Sequence, residues 1–110
     1  MQNILIANTT FRRWSAQQLG DFKMVTIGVS ASDYTLESLD EQGRIIFAYC
    51  NKIASDSPIQ YSGVLISLCF TDKVNVQFYM GNRWQAYKEV WYRQKWSTVE
   101  YGEWCKFTIV

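Results

Sequence analysis

Few side chains in this chain have the means to do bond-breaking chemistry. No histidine occurs among its 110 residues, which removes the commonest general base and the commonest transition-metal ligand together. Ser-His-Asp and Cys-His arrangements are therefore excluded. The three cysteines, Cys50, Cys69 and Cys105, are far apart and lack the Cys-x-x-Cys spacing of structural zinc sites. They read as reduced, buried thiols that act as small hydrophobes, which fits folding in a reducing cytoplasm. Two carboxylates can run a glycosidase, and Asp40 with Glu41 or Glu100 with Glu103 offer such pairs. Neighbouring acids in turn-like sequence, however, read as solvated groups. No phosphate-cradling glycine loop is present. Catalysis is not expected, and no cofactor or metal is implied.

What remains is binding chemistry, and it is aromatic. The rings are concentrated between Gln77 and Phe107, with Trp84, Trp91, Trp96 and Trp104 in one run. Sugar rings present apolar C–H faces that stack on such side chains, while their hydroxyls need planar donors and acceptors. Trp84, Tyr87 and Trp91, with Asn82 and Arg83 close by, form the mixture a glycan site would use. The bland reading stands beside it, since a tryptophan on a strand face also serves as core. Formal charge sums to +1, so no basic field invites nucleic acid. The N-terminus lacks the basic region and apolar length of a signal peptide, and no stretch is long enough for membrane insertion.

The elements that must position these residues read as strands. Phe22 to Val29 is rich in β-formers, and Arg44 to Cys50 is apolar on both faces and hence central. Leu36 and Leu39, three apart behind an Asp or Ser cap, predict at most one short helix near Thr35 to Asp40. Asn51 to Ser62 carries the only proline and reads as a long surface loop. Gly63 to Phe70 and Val74 to Met80 alternate around a Thr71-Asp72-Lys73 turn and predict a β-hairpin. Glu89 to Lys95 and Gly102 to Ile109 predict two more strands. The fold class is mainly β: a small antiparallel β-sheet or sandwich with at most one short helix. Residues 1–30 read as a lead-in segment, an extra strand or a stalk junction, and residues 31–110 as the β domain.

From Leu36 onward the order of motifs resembles the small knob module of bacteriophage tail fibres and R-type pyocins. The resemblance runs over roughly residues 33 to 108. It is carried by Leu36 and Leu39 before a turn, Gly43 opening a strand, Pro58 in a loop, and Gly63-Val-Leu opening a hairpin. Val76-Gln77-Phe78-Tyr79, Trp91-Tyr92-Arg93 and Tyr101-Gly-Glu-Trp104 follow. Gln77, Arg93 and Trp104 stand at the places of the family's structural motif. The chain departs from the pattern by inserting Ser97 to Glu100 before the closure and by lengthening the link at Trp84 to Lys88.

The resemblance implies a receptor-binding or structural tip module in a virion tail fibre, made and folded in the host cytoplasm and assembled as a homotrimer. It implies bacterial surface polysaccharide or lipopolysaccharide as partner. Within such a module Gln77 and Arg93 are expected to bond to each other or to loop carbonyls, because a planar guanidinium with five donors ties strands together well. A small phage-encoded inhibitor of a host protein and an isolated carbohydrate-binding module are the alternative readings.

Overall fold

The computed structural model describes residues 22–81 and 89–108, with side chains as far as Lys106. These residues are mainly β, as expected, and form one six-stranded sheet. The strands are β1 (Phe22–Ile27), β2 (Arg44–Cys50), β3 (Gly63–Thr71), β4 (Val74–Gly81), β5 (Glu89–Trp96) and β6 (Cys105–Thr108). Their order across the sheet is their order in the chain. Four neighbouring pairs are antiparallel, but β1 and β2 run parallel, with Phe22 opposite Ile45 and Ile27 opposite Cys50. The sheet is mainly antiparallel, and β1 is the parallel exception because residues 28–43 form a crossover long enough to return the chain to the same end, as a parallel pair requires. β1 is the extra strand that a lead-in could supply, while residues 1–21 lie outside the described residues.

The expected helix near Thr35 to Asp40 is a single 3₁₀ turn, Leu36–Ser38. The Thr35 side chain caps it by accepting from the Ser38 N–H at 3.1 Å. Gly43 ends the crossover with φ at +80°, a conformation that an L side chain rarely adopts. β3 and β4 form the expected hairpin, in which Ser67 lies opposite Gln77 and Cys69 opposite Asn75.

The crossover, the 51–62 loop and the 97–104 segment all fold onto one face of the sheet. Leu36 is fully buried there with Ile46, Ala48, Cys50, Leu65 and Tyr79, and Tyr34, Leu39, Ile59, Trp91 and Trp104 pack around them. Tyr79 donates its hydroxyl to the Tyr61 carbonyl at 2.6 Å, and burial pushes its pKa up to about 12. Tyr34 likewise reaches the Lys52 carbonyl at 2.6 Å. Cys50 and Cys69 are buried free thiols as expected, but Cys105 is exposed, because its strand position turns it to the opposite face.

β3 crosses β4 most closely at Gly63. A Cβ there would stand 2.2 Å from the Met80 carbonyl oxygen and 2.9 Å from Cζ of Tyr79. Since the obstacle is backbone, a methyl group cannot be accommodated by a rotamer change. Gly63→Ala is expected to destabilise the fold by about 3 kcal/mol, the upper part of the overpacking range, and urea denaturation followed by tryptophan fluorescence measures it.

Candidate functional site

The covered face carries an unusual density of polar groups. Ser67, Asn75 and Gln77 are fully buried, and Arg93 and Lys95 are each 7% exposed. Strand register explains their meeting. Ser67 pairs with Gln77 and Gln77 with Arg93, while Cys69 pairs with Asn75 and Asn75 with Lys95, giving two polar rows across three strands.

Arg93 is the hub. Its Nε donates to Gln77 Oε1 at 2.9 Å and its terminal nitrogen to Asp56 Oδ2 at 2.7 Å. The guanidinium lies between two rings, 4.5 Å from the Tyr101 centroid and 4.4 Å from that of Trp104, an arrangement that favours a cation. Gln77 passes the connection on by donating to the Leu36 carbonyl at 2.8 Å and to Ser67 Oγ at 3.2 Å. Asp56 accepts from the Leu36 and Glu37 N–H groups at 2.5 and 3.0 Å, and its own carbonyl accepts the Trp104 indole N–H at 2.8 Å. One cluster thus pins the crossover, the 51–62 loop and the 97–104 segment to the sheet. Lys95 repeats the device on a smaller scale, with Asp40 Oδ2 at 3.0 Å and the Tyr101 ring at 5.1 Å.

Burial raises the Asp56 pKa, but the Leu36 and Glu37 N–H groups and the Arg93 guanidinium outweigh it and hold the carboxyl below its ordinary value. The Tyr101 phenol is raised chiefly by burial. Its hydroxyl and the Asn75 Nδ2 are buried and make no hydrogen bond among the described residues. An open groove of about 780 Å³ runs beside the cluster, with Gln94, Trp96, Glu100 and Glu103 in its lining. The Arg93 and Lys95 charges are already neutralised by Asp56 and Asp40, and burial raises the Cys50 thiol and keeps it protonated. The cluster is a clamp, with no nucleophile set beside a base.

The structure brings Gln77, Arg93 and Trp104 into direct contact. Of the glycan candidates, Asn82, Arg83, Trp84 and Tyr87 lie outside the described residues. Trp91 is half-buried on the covered face, packs against the core, and has Glu89 at 3.4 Å from its Nε1 and the Lys106 ammonium 5.7 Å over its ring. It is therefore a packing residue with a polar edge, not an open stacking platform. Asp40 and Glu41, adjacent in sequence, face different cations: Asp40 pairs with Lys95, and Glu41 with Lys23 and Arg44. The residues that sequence reasoning missed are Asp56, Lys95 and Tyr101. For Lys95 the signal was the recurrence of polar residues at alternate positions of adjacent strands, which the register turns into rows; Asp56 and Tyr101 lie in irregular segments and left no such signal.

No group of histidine, cysteine or acidic residues among the described residues could hold a metal ion. No helix among them is long and apolar enough to cross a membrane. The chain matches no known family, no curated protein and no solved structure.

Asp56→Asn removes the charge that Arg93 needs and is expected to cost about 3 kcal/mol at pH 7, the scale for breaking a buried ion pair. The folded-state pKa of Asp56 is depressed, so its contribution is complete above the unfolded value and is lost as pH falls through the folded one. Urea midpoints at pH 7 and pH 3 test both points. The stability gap between wild type and Asp56→Asn should be wide at pH 7 and narrower at pH 3.

Proposed function

We propose that the chain is a non-enzymatic receptor-binding or structural tip module of a phage tail fibre, a homotrimer that helps recognise bacterial surface polysaccharide or lipopolysaccharide. The observation that supports this reading is the meeting of Gln77, Arg93 and Trp104 in one clamp. These residues, drawn from β4, β5 and the start of the closing strand, are the ones on which the resemblance to fibre knobs rests. Their contacts give that motif a physical purpose: it holds long irregular segments rigidly on a sheet, the arrangement by which loops are displayed for recognition. The clamp also consumes the buried charges that catalysis would need, which suits a module built for adhesion.

In this reading, recognition falls to the link between β4 and β5, where Asn82, Arg83, Trp84 and Tyr87 supply stacking rings and planar polar groups. Trp91, on the strand that follows, packs against the core. Fibre assembly in the host cytoplasm is compatible with three free thiols.

Two measurements test the proposal. Sedimentation equilibrium should give a mass near three times 12.9 kDa that persists on dilution to low micromolar. An array of bacterial polysaccharides and lipopolysaccharides should show selective binding that falls at least about tenfold in Trp84→Ala, the loss of roughly 1.4 kcal/mol expected of a stacking contact. A monomer that binds no glycan on the array would overturn the proposal.

A further inference from the structure

The face of the sheet opposite the clamp has a different character. Its strand positions are Phe22, Met24 and Thr26 on β1, Ile45, Phe47 and Tyr49 on β2, and Val64, Ile66 and Leu68 on β3. Val74, Val76, Phe78 and Met80 on β4, Val90, Tyr92, Gln94 and Trp96 on β5 and Cys105 on β6 also lie on it. None of these residues carries a charge. The charged strand residues Lys23, Arg44, Glu89, Arg93, Lys95 and Lys106 all occupy the alternate positions that point to the covered face. None of the residues on the uncharged face is fully buried; Met24 is 85% exposed, Tyr49 43% and Phe22 39%. Phe22 and Phe47 already meet edge to face on it, with centroids 5.6 Å apart.

We infer that this face is a self-association surface, covered in solution by the same face of another copy of the chain. Three arguments select that occupant. A second copy brings no charge to a surface that has none, so neither desolvation of an ion nor like-charge repulsion opposes contact, whereas a foreign partner chosen by charge would find nothing to pair with. The surface is a pleated sheet, and the best-fitting cover for one sheet is another packed about 10 Å away with interdigitating side chains. Strand spacing and rise make the patch about 24 Å wide and about 20 Å long, close to 500 Å² in projection. Two copies would thus withdraw roughly 1,000 Å² from water, the threshold for a specific interface. An apolar patch of this size is often functional.

The inference concerns which surface associates, and it does not rest on the threefold fibre reading, since a pair packed same face to same face is twofold. The test compares the full-length chain with Met24→Asp and Phe78→Glu by sedimentation equilibrium from about 1 to 100 µM, with circular dichroism as the check on folding. Met24 is exposed enough that an aspartate cannot disturb the isolated fold, and Phe78 lies at the centre of the patch. Val99→Lys, an exposed apolar position 67% open in the 97–104 segment, serves as control. The expected result is a multimer whose association weakens at least tenfold in Met24→Asp and further in Phe78→Glu, with Val99→Lys unchanged. A dimer dissociated by these variants would uphold the surface and count against the trimeric fibre reading. A trimer indifferent to both face variants would uphold that reading and overturn the surface. A wild-type chain monomeric throughout would also overturn the surface; if removal of residues 1–21 then allowed association, the cover would be the chain's own N-terminal segment.

Discussion

A guanidinium buried in a small β protein must be matched on every side, and the rest of this structure is arranged to do so. Arg93 has a carboxylate and an amide oxygen as acceptors and two aromatic rings against its guanidinium. The acceptors engage two of its donors and the rings stabilise its charge where water is excluded. Each partner belongs to a different segment, so the same contacts that make the burial tolerable also fix where those segments lie. The loops owe their positions to this requirement more than to apolar contact alone.

That arrangement inverts the usual division of labour in an antiparallel sheet, where apolar residues face the core and polar ones face water. Here the polar rows lie beneath the loops, beside the apolar core, and the opposite face carries no charged strand residue. The sheet has, in effect, spent its polar residues on internal order and kept its hydrophobic surface in reserve. Lys95 and Asp40 extend the pattern towards the β3–β4 turn, and Gln77 links it to the 3₁₀ turn through the Leu36 carbonyl. Among the described residues, Asn75 Nδ2 and the Tyr101 hydroxyl are buried without a hydrogen bond, although Asn75 Oδ1 accepts from Ser67 Oγ at 3.4 Å.

Most strands were legible: the hairpin at residues 63–81 and β5 follow directly from period-two patterning, and β2 from its continuous apolar run. The direction of β1 was not, because a strand's sequence does not reveal whether its neighbour runs with it or against it. The faces of the hairpin were separable in sequence, but which face is inside was not. Hydrophobicity favours Val76, Phe78 and Met80 as core, yet Asn75, Gln77 and Tyr79 are the buried set. What bears on the matter is Asp56, a residue of the 51–62 loop that is 37 positions from Arg93 in the chain, whose relation to Arg93 no local pattern encodes. The aromatic-rich C-terminal run was correctly a focus of the fold, while its division into packing rings such as Trp104 and open rings such as Trp96 depended on where the 97–104 segment turns.

The coincidence of strand order with chain order has a consequence for how the molecule can be built. From β2 to β6, each strand entering the sheet pairs with the one synthesised just before it, so the sheet can be extended one edge at a time with short loop closures and little entropic cost. The clamp obeys a different schedule. Asp56 must wait for Arg93 and Trp104, the last of which arrives just before β6, so the loops remain unfastened until five strands have been made. Assembly therefore has a late event, a latch that closes on a sheet already laid down, and a chain truncated before Trp104 would possess most of these strands without the bond that orders what lies across them.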